Sequence, residues 1–491
     1  MDRNRNNNGN NNNNDWSWWQ IGAAAVGAGA TLGTLYALTR SSSEPSQSTP
    51  QHQEEQTPSF FGRFANDFEN LFNNTKAMED IIPQGSIPAW PHITNLNSLL
   101  SDIYDRYVAL KREEFQRHYN VFTEIFGELQ RNMKKVDKYY ERFASDVRFA
   151  GSHFDNLRIK KPDEFDMDIV IGLPVNMRPN PYNPEDNDVV IEQNYPGYVQ
   201  LRAGVQYQKL LVRDGSDCQI YRTAYEWLDE RKYILRSKFV NWFKSVGYRA
   251  LNEFQRVDSV PALYVNGILY KIRCSESGPA WTIIIEAPKF RLDVDLVPAL
   301  KFPETRWPVG KSYRPIPAGC EREYWMVVPK PNKNGNTVHD EYRSWRIALQ
   351  DQEKKLLYNT FALRKTLRLI KKLRDALGMK KIASYYIKTI FFWEIMELKY
   401  SNPLFWQSND IATLLKHMVK KLHSALEKGE IPYFWNKSNN LIGNINQSIL
   451  NEYKCKTSKL LAILEVPANY REVAKYLLDN EEYSEYKKFL F

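Results

Sequence analysis

The chain has 491 residues, 43% of them hydrophobic and 25% charged, with a formal net charge of +9. It is too long for one small domain and long enough for a large bilobal enzyme with extra segments, and its composition is globular outside the N-terminus. The positive charge favours polyanionic partners such as nucleic acid, nucleotides or an anionic membrane, without choosing among them. Cys218, Cys274, Cys320 and Cys455 are scattered and form no C-x-x-C or Cys/His cluster. That argues against a disulfide framework or a structural zinc site, and for a reducing, cytoplasmic compartment.

Residues 1–60 read as a tail. The first 15 are an Asn-rich tract too polar to bury a core. Trp16, Trp18 and Trp19 then precede Ile21 to Thr39, a run of roughly 19 residues without a charge that reaches the lower range for a membrane-spanning helix. Interfacial tryptophans and the closing Arg40 fit membrane attachment through residues 21–39. The Ala- and Gly-rich content fits a low-complexity tail equally well. Arg3 and Arg5 lie too far ahead of the apolar stretch for a cleaved signal peptide, and Ser41 to Pro58 has the composition of a linker.

From Asn95 the pattern is helical: Leu96, Leu99, Leu100, Ile103, Tyr107 and Val108 recur at three- and four-residue steps, and apolar residues continue through Phe122, Ile125, Phe126, Leu129, Val136 and Phe143. This predicts a long spine helix broken near Gly127, running toward a Gly151-Ser152 turn. Next, Glu164, Asp166 and Asp168 fall on one face of a period-two strand, with Phe165, Met167 and Ile169 on the other. Carboxylates so placed suit a hard divalent cation, which takes oxygen ligands together with substrate phosphates; the plainer alternative is acids that solvate a strand edge. Loop composition follows at 176–194, with short strands at Asp188 to Glu192 and Tyr198 to Leu201, a basic helix near Tyr221 to Phe243, and strands at Ala262 to Cys274 and Ala280 to Glu286. Phe290 to Leu300 alternates again, Leu292, Val294 and Leu296 against Asp293 and Asp295, and offers acids from a second strand to the same ion. From about Trp345 the chain is mainly helical. Leu363, Leu367, Ile370 and Leu373 form a stripe with Arg364, Arg368, Lys371 and Lys372 beside it, which is either a core face with a solvated basic flank or a phosphate contact.

The stretch Gly151-Ser152, eleven intervening residues, Glu164-Phe165-Asp166 and the later Val294-Asp295-Leu296 resemble the nucleotidyltransferase core of the Mab-21 family. Within that family they are most similar to the insect cyclic GMP-AMP synthase-like receptors. WRIALQDQEKKLL (Trp345 to Leu357), LRLIKKL (Leu367 to Leu373) and SYYIKT (Ser384 to Thr389) extend the resemblance over roughly residues 90–490. It implies an α+β, bilobal nucleotidyltransferase fold: a mixed-sheet catalytic lobe with a long spine helix at 90–340 and a helical C-terminal lobe at 341–491. It also implies two-metal phosphoryl transfer, in which Glu164, Asp166 and Asp295 hold Mg2+ or Mn2+ and Asp295 lies nearest the attacking hydroxyl. On the ATP side the resemblance places Ser152, Glu164, Asp166, Glu353, Lys371, Ser384 and Tyr385, the last stacking on the base. On the GTP side it places Asp295 and Arg346, whose planar guanidinium stacks or makes paired hydrogen bonds as Lys does not. Each nucleotide contact has a purely structural alternative, and Asp168 and Asp293 are local competitors for the metal.

Two departures bear on the activator. The vertebrate DNA-sensing enzyme of this family carries a zinc-bound insertion that Leu356 to Leu367 lacks, and Ala348 stands where that enzyme has a hydroxyl residue. The insect-type receptors lack the insertion too, so the resemblance implies double-stranded RNA as activator, read by shape and phosphates. Candidate contacts are Arg231, Lys232, Arg236 and Lys238 and the exposed members of the 364–381 cluster. The implied function is a nucleic-acid-activated cyclic dinucleotide synthase in innate immunity. The alternative is a non-catalytic, membrane-anchored Mab-21-domain adaptor of the mitochondrial dynamics type, which the N-terminal run favours and the retained acids oppose.

Overall fold

The computed structural model describes residues 89–109, 112–150, 163–180, 182–212, 217–308, 313–332, 338–357 and 361–490. Residues 21–39 and the Gly151-Ser152 pair lie outside the described residues. Among the described residues no helix is long and apolar enough to cross a membrane.

The spine is three helices, α1 (Leu96–Tyr107), α2 (Arg112–Val136) and α3 (Lys138–Phe143). Asn95 and Ser98 start α1 with a reciprocal capping box, and Asp137 starts α3 by accepting from the Tyr140 N–H at 2.9 Å. The expected break at Gly127 is not there: α2 runs through it, and the interruptions fall before Arg112 and at Asp137. A glycine inside a helix costs only about 1 kcal/mol, less than the burial of Phe122, Ile125, Phe126 and Leu129 around it supplies.

Then follow β1 (Ala144–Phe149), β2 (Glu164–Ile171), β3 (Val189–Tyr195), β4 (Tyr198–Ala203), α4 (Cys218–Glu226), α5 (Arg236–Leu251), β5 (Arg256–Val257), β6 (Val260–Val265), β7 (Ile268–Ser277), β8 (Ala280–Ala287), β9 (Phe290–Pro303), β10 (Tyr324–Val328) and β11 (Ser344–Ala348). Eleven strands among the described residues form one sheet in the order β3-β4-β11-β10-β9-β8-β7-β6-β5, with β2 added to β9 in parallel and β1 antiparallel to β2. The run read as one strand over Ala262 to Cys274 is two, β6 and β7, turned at Asn266-Gly267 with φ of 50° and 78°. Both residues take the left-handed conformation that a two-residue hairpin turn requires. The helix expected near Tyr221 to Phe243 is likewise two, α4 and α5, separated by a turn in which Leu228 and Ile234 pair and Lys232 has φ of 67°. Trp345 lies on β11 and not in a helix, so the sheet extends past residue 340.

The rest is helical apart from one hairpin: α6 (Gln350–Leu356), α7 (Phe361–Ala376), α8 (Ser384–Ser401), α9 (Ile411–Lys428), β12 (Pro432–Tyr433), β13 (Asn436–Asn440) and α10 (Gln447–Leu464). The architecture is α+β, a large mixed sheet with a helical C-terminal region. One sheet face is the core: Phe165, Met167, Ile169, Ile283, Ile285, Leu292, Val294 and Leu296 are wholly buried, and Phe122 of α2 meets Phe165 edge-on with centroids 5.1 Å apart. Beyond the half-buried Arg364, the flank of α7 is not solvated. Arg368, Lys371 and Lys372 are buried, Arg368 bonding to the Tyr104 hydroxyl and Lys372 to Glu482 at 2.5 Å.

Candidate active site

The sheet register assembles the site. In the parallel β2–β9 pair Asp166 stands opposite Asp295, and in the antiparallel β8–β9 pair Thr282 stands opposite Asp295. Side chains alternate along a strand, so Glu164, Asp166, Asp295 and Thr282 share the face away from the core. One carboxylate oxygen from each of Glu164, Asp166 and Asp295 lies within 4.8 Å of the others. Asp166 is 1% exposed and Asp295 5%. Burial raises the Asp295 carboxyl above the usual range; the Thr282 hydroxyl, which donates to Oδ1, opposes that rise and Asp293 adds to it. Acids gathered this closely, two of them buried, repel one another unless a cation neutralises them. An all-carboxylate oxygen set fits a hard divalent ion. Ala150, the last described residue before Gly151-Ser152, donates its N–H to the Asp166 carbonyl at 2.8 Å.

The two competitors are engaged elsewhere. Asp168 shares the face with Asp166, but its Oδ2 accepts from Gln350 Nε2 of α6 at 2.5 Å. Burial pushes its carboxyl up to about 7, with Gln350 opposing and Asp351 adding to the rise. Asp293 accepts from Arg291 at 2.9 Å.

Counting by twos carries the same face to the nucleotide candidates. Asp295, Val297, Ala299 and Lys301 alternate along β9, Met326 of β10 faces Lys301, and Val328, Arg346 and Tyr198 form the next row across β10, β11 and β4. Arg346 is therefore on the face of the acidic trio. Its guanidinium carbon is 5.9 Å from the Tyr385 ring centroid. Burial works against its charge, while Tyr198, Tyr433, Tyr385 and Tyr386 favour it, and the balance raises its pKa. Glu353 on α6 accepts from the Tyr385 hydroxyl at 2.7 Å, so three of the predicted nucleotide residues are brought together. Ser384 is buried and accepts from Arg374 Nη1 at 2.8 Å, and Lys371 is buried on α7.

Residues 153–359 match the Mab-21 protein nucleotidyltransferase domain, and residues 362–459 match the Mab-21 protein HhH/H2TH-like domain. The chain is 31% identical over 401 residues to a cyclic GMP-AMP synthase-like receptor of Ctenocephalides felis, covering 80% of this chain and 90% of the relative. The chain belongs to the Mab-21 nucleotidyltransferase family. This Mab-21 protein is also 28% identical to relatives of the same name from Aethina tumida, over 79% of the chain and 92% of the relative, and Tribolium castaneum, over 80% and 94%.

Four residues around the candidate site are not among the sequence candidates: Thr282 beside Asp295, Gln350 beside Asp168, and Lys388 and Trp435 on Glu353. Lys388 was legible, since it lies three residues after Tyr385 on one helix face; the others have no local signal. The basic candidates divide. Arg231 is exposed, and Lys232 lies beside it in the turn before α5. Arg236 donates to the Pro329 and Glu341 carbonyls, Lys238 to the Leu228 carbonyl at 2.6 Å. In the 364–381 cluster Lys380 and Lys381 are exposed.

Proposed function

We propose that this Mab-21 protein is a nucleic-acid-activated nucleotidyltransferase that joins ATP and GTP into a cyclic dinucleotide of the cyclic GMP-AMP type, and that it serves as an innate immune sensor of double-stranded RNA. The observation that carries this reading is the convergence of Glu164, Asp166 and Asp295 from two strands within 4.8 Å. These three would hold Mg2+ or Mn2+, which supplies charge neutralisation and Lewis acidity to phosphoryl transfer. Asp295, oriented by the Thr282 hydroxyl, takes the proton of the attacking sugar hydroxyl. Arg346 binds the guanine nucleotide by stacking or paired hydrogen bonds. Tyr385 stacks on the adenine, and Ser152, Lys371 and Ser384 bind ATP phosphates, with Glu353 serving the same side. Double-stranded RNA engages basic surface residues such as Arg231, Lys380 and Lys381 through its phosphates.

The test is incubation of the purified full chain with labelled ATP and GTP, Mn2+ and double-stranded RNA. The expected result is an RNA-dependent cyclic dinucleotide, and a drop of at least about 100-fold in Asp166→Ala, which removes a candidate ligand shared by both metal roles. No product from the wild type, or an equal rate from the variant, refutes the reading. The adaptor alternative predicts that first outcome.

A further inference from the structure

Glu353 was expected at the nucleotide by resemblance, yet its carboxylate is already engaged by the protein. It is 4% exposed. Oε1 accepts from the Tyr385 hydroxyl at 2.7 Å and from Trp435 Nε1 at 3.0 Å. Oε2 accepts from Lys388 Nζ at 2.9 Å. The donors come from two elements: Tyr385 and Lys388 are three residues apart on α8, and Trp435 sits in the turn between β12 and β13. A buried carboxylate meeting three N–H or O–H donors, one of them cationic, is a strong fixed point.

What it fixes is the predicted nucleotide cleft. Burial first, and then Glu353, hold the Tyr385 phenol well above its ordinary range, so Tyr385 stays a donor and its ring cannot turn away without breaking the bond. That ring is the one approached by Arg346 at 5.9 Å and by the Tyr433 ring at 6.2 Å. Trp435 is itself immobilised: it is fully buried, its indole meets Trp307 edge-on at 5.9 Å, and its carbonyl accepts from the Arg314 N–H at 3.2 Å.

We propose that Glu353 and Trp435 are positioning residues that lock the Tyr385 ring and the Lys388 ammonium in the nucleotide cleft. Trp435, from the C-terminal hairpin, thereby becomes a determinant of nucleotide affinity without touching the nucleotide. The inference rests on the nucleotidyltransferase reading above.

The experiment is a double-mutant cycle in the full chain with Trp435→Phe, which deletes one N–H and keeps an aromatic ring, and Tyr385→Phe, which deletes one O–H. Measurements are ATP binding by calorimetry with Mg2+, KM and kcat for product formation, and a thermal melt. Trp435→Phe is expected to raise the ATP dissociation constant and KM by about 3- to 10-fold, the worth of one hydrogen bond, with kcat within about twofold. In the Tyr385→Phe background it should add nothing, because the shared carboxylate no longer holds the ring. Glu353→Gln, which keeps an acceptor for Tyr385 and Trp435, should retain more affinity than Glu353→Ala. Three results overturn the proposal: wild-type affinity in Trp435→Phe, fully additive effects of the two substitutions, or a lower melting temperature with unchanged ATP binding. Failure of the wild type to bind ATP or form product refutes the nucleotidyltransferase reading instead.

Discussion

Asp166 and Asp168 stand two residues apart on one strand face, and what each meets separates their roles. Asp166 is opposite Asp295 in register and joins it and Glu164 in the candidate metal site. Asp168 meets an amide, Gln350, from α6. Asn at 168 keeps the shape and an acceptor for that amide, so Asp168→Asn should form product within about threefold of wild type. Asp295→Asn should lose at least about 100-fold, since a neutral amide is a poor ligand for a hard divalent ion. The same Asp295→Asn chain, in EDTA, should be more stable than wild type by roughly 1 kcal/mol, because a buried acid beside two others is removed. Parallel product assays and denaturant titrations check both. Equal loss at 168 and 295 would put Asp168 among the ligands.

At the scale of elements, α5 is held at the sheet by a missing side chain. A Cβ at Gly247 would lie 2.5 Å from Trp281 Cζ3, and Trp281 is a fully buried ring with no room to withdraw. Trp281 precedes Thr282, the residue bonded to Asp295. Gly247→Ala therefore forces α5 and β8 apart. It should cost about 1–3 kcal/mol of stability and lower product formation by displacing Thr282, both read on purified protein by urea titration and turnover. A Gly247→Ala chain as stable and active as wild type would show that α5 shifts freely. Which elements were legible follows from the range of their determinants. The strands β2 and β9 declare themselves by period-two alternation of acids with apolar residues, but that pattern leaves Asp168 and Asp293 level with the others, and it is the family resemblance that picks Glu164, Asp166 and Asp295. The turn at Asn266-Gly267 is also written locally, as an Asn-Gly pair between two apolar runs. The burial of the α7 cations was not legible, because Lys372 finds Glu482 110 residues away and Arg368 finds Tyr104 264 residues away. Trp435 is 82 residues from Glu353, and no periodicity reaches that far.

Across the whole molecule, the cleft depends on how the C-terminal helices are fastened, for α8 carries Tyr385 near its start and, further along, the buried Glu394 at the centre of a half-exposed ion cluster. Glu394 of α8 accepts from His417 Nε2 at 2.7 Å and pairs with Lys421 Nζ at 2.6 Å, both on α9; Lys421 also reaches Glu397 at 3.1 Å. Burial alone would raise the Glu394 carboxyl, but the hydrogen bonds and charges of His417 and Lys421 outweigh it and hold the carboxyl below its ordinary range. A carboxyl depressed in the folded state stabilises the fold above its unfolded pKa, near about 4.3. That contribution is lost as pH falls through the folded value. Glu394→Gln should therefore be less stable than wild type by about 1–3 kcal/mol at pH 7, where a buried charged partner is lost. The two should begin to converge as the pH falls below the unfolded value and meet below the lower, folded value, where the wild-type carboxyl of the native state also becomes neutral. Urea midpoints of both chains from pH 3.5 to pH 7.5 measure the gap. If it stays constant over that range, Glu394 is not the charge that fastens α8 to α9, and the Tyr385 end of α8 is held by its own contacts, Glu353 on Tyr385 and Lys388 and Arg374 on Ser384.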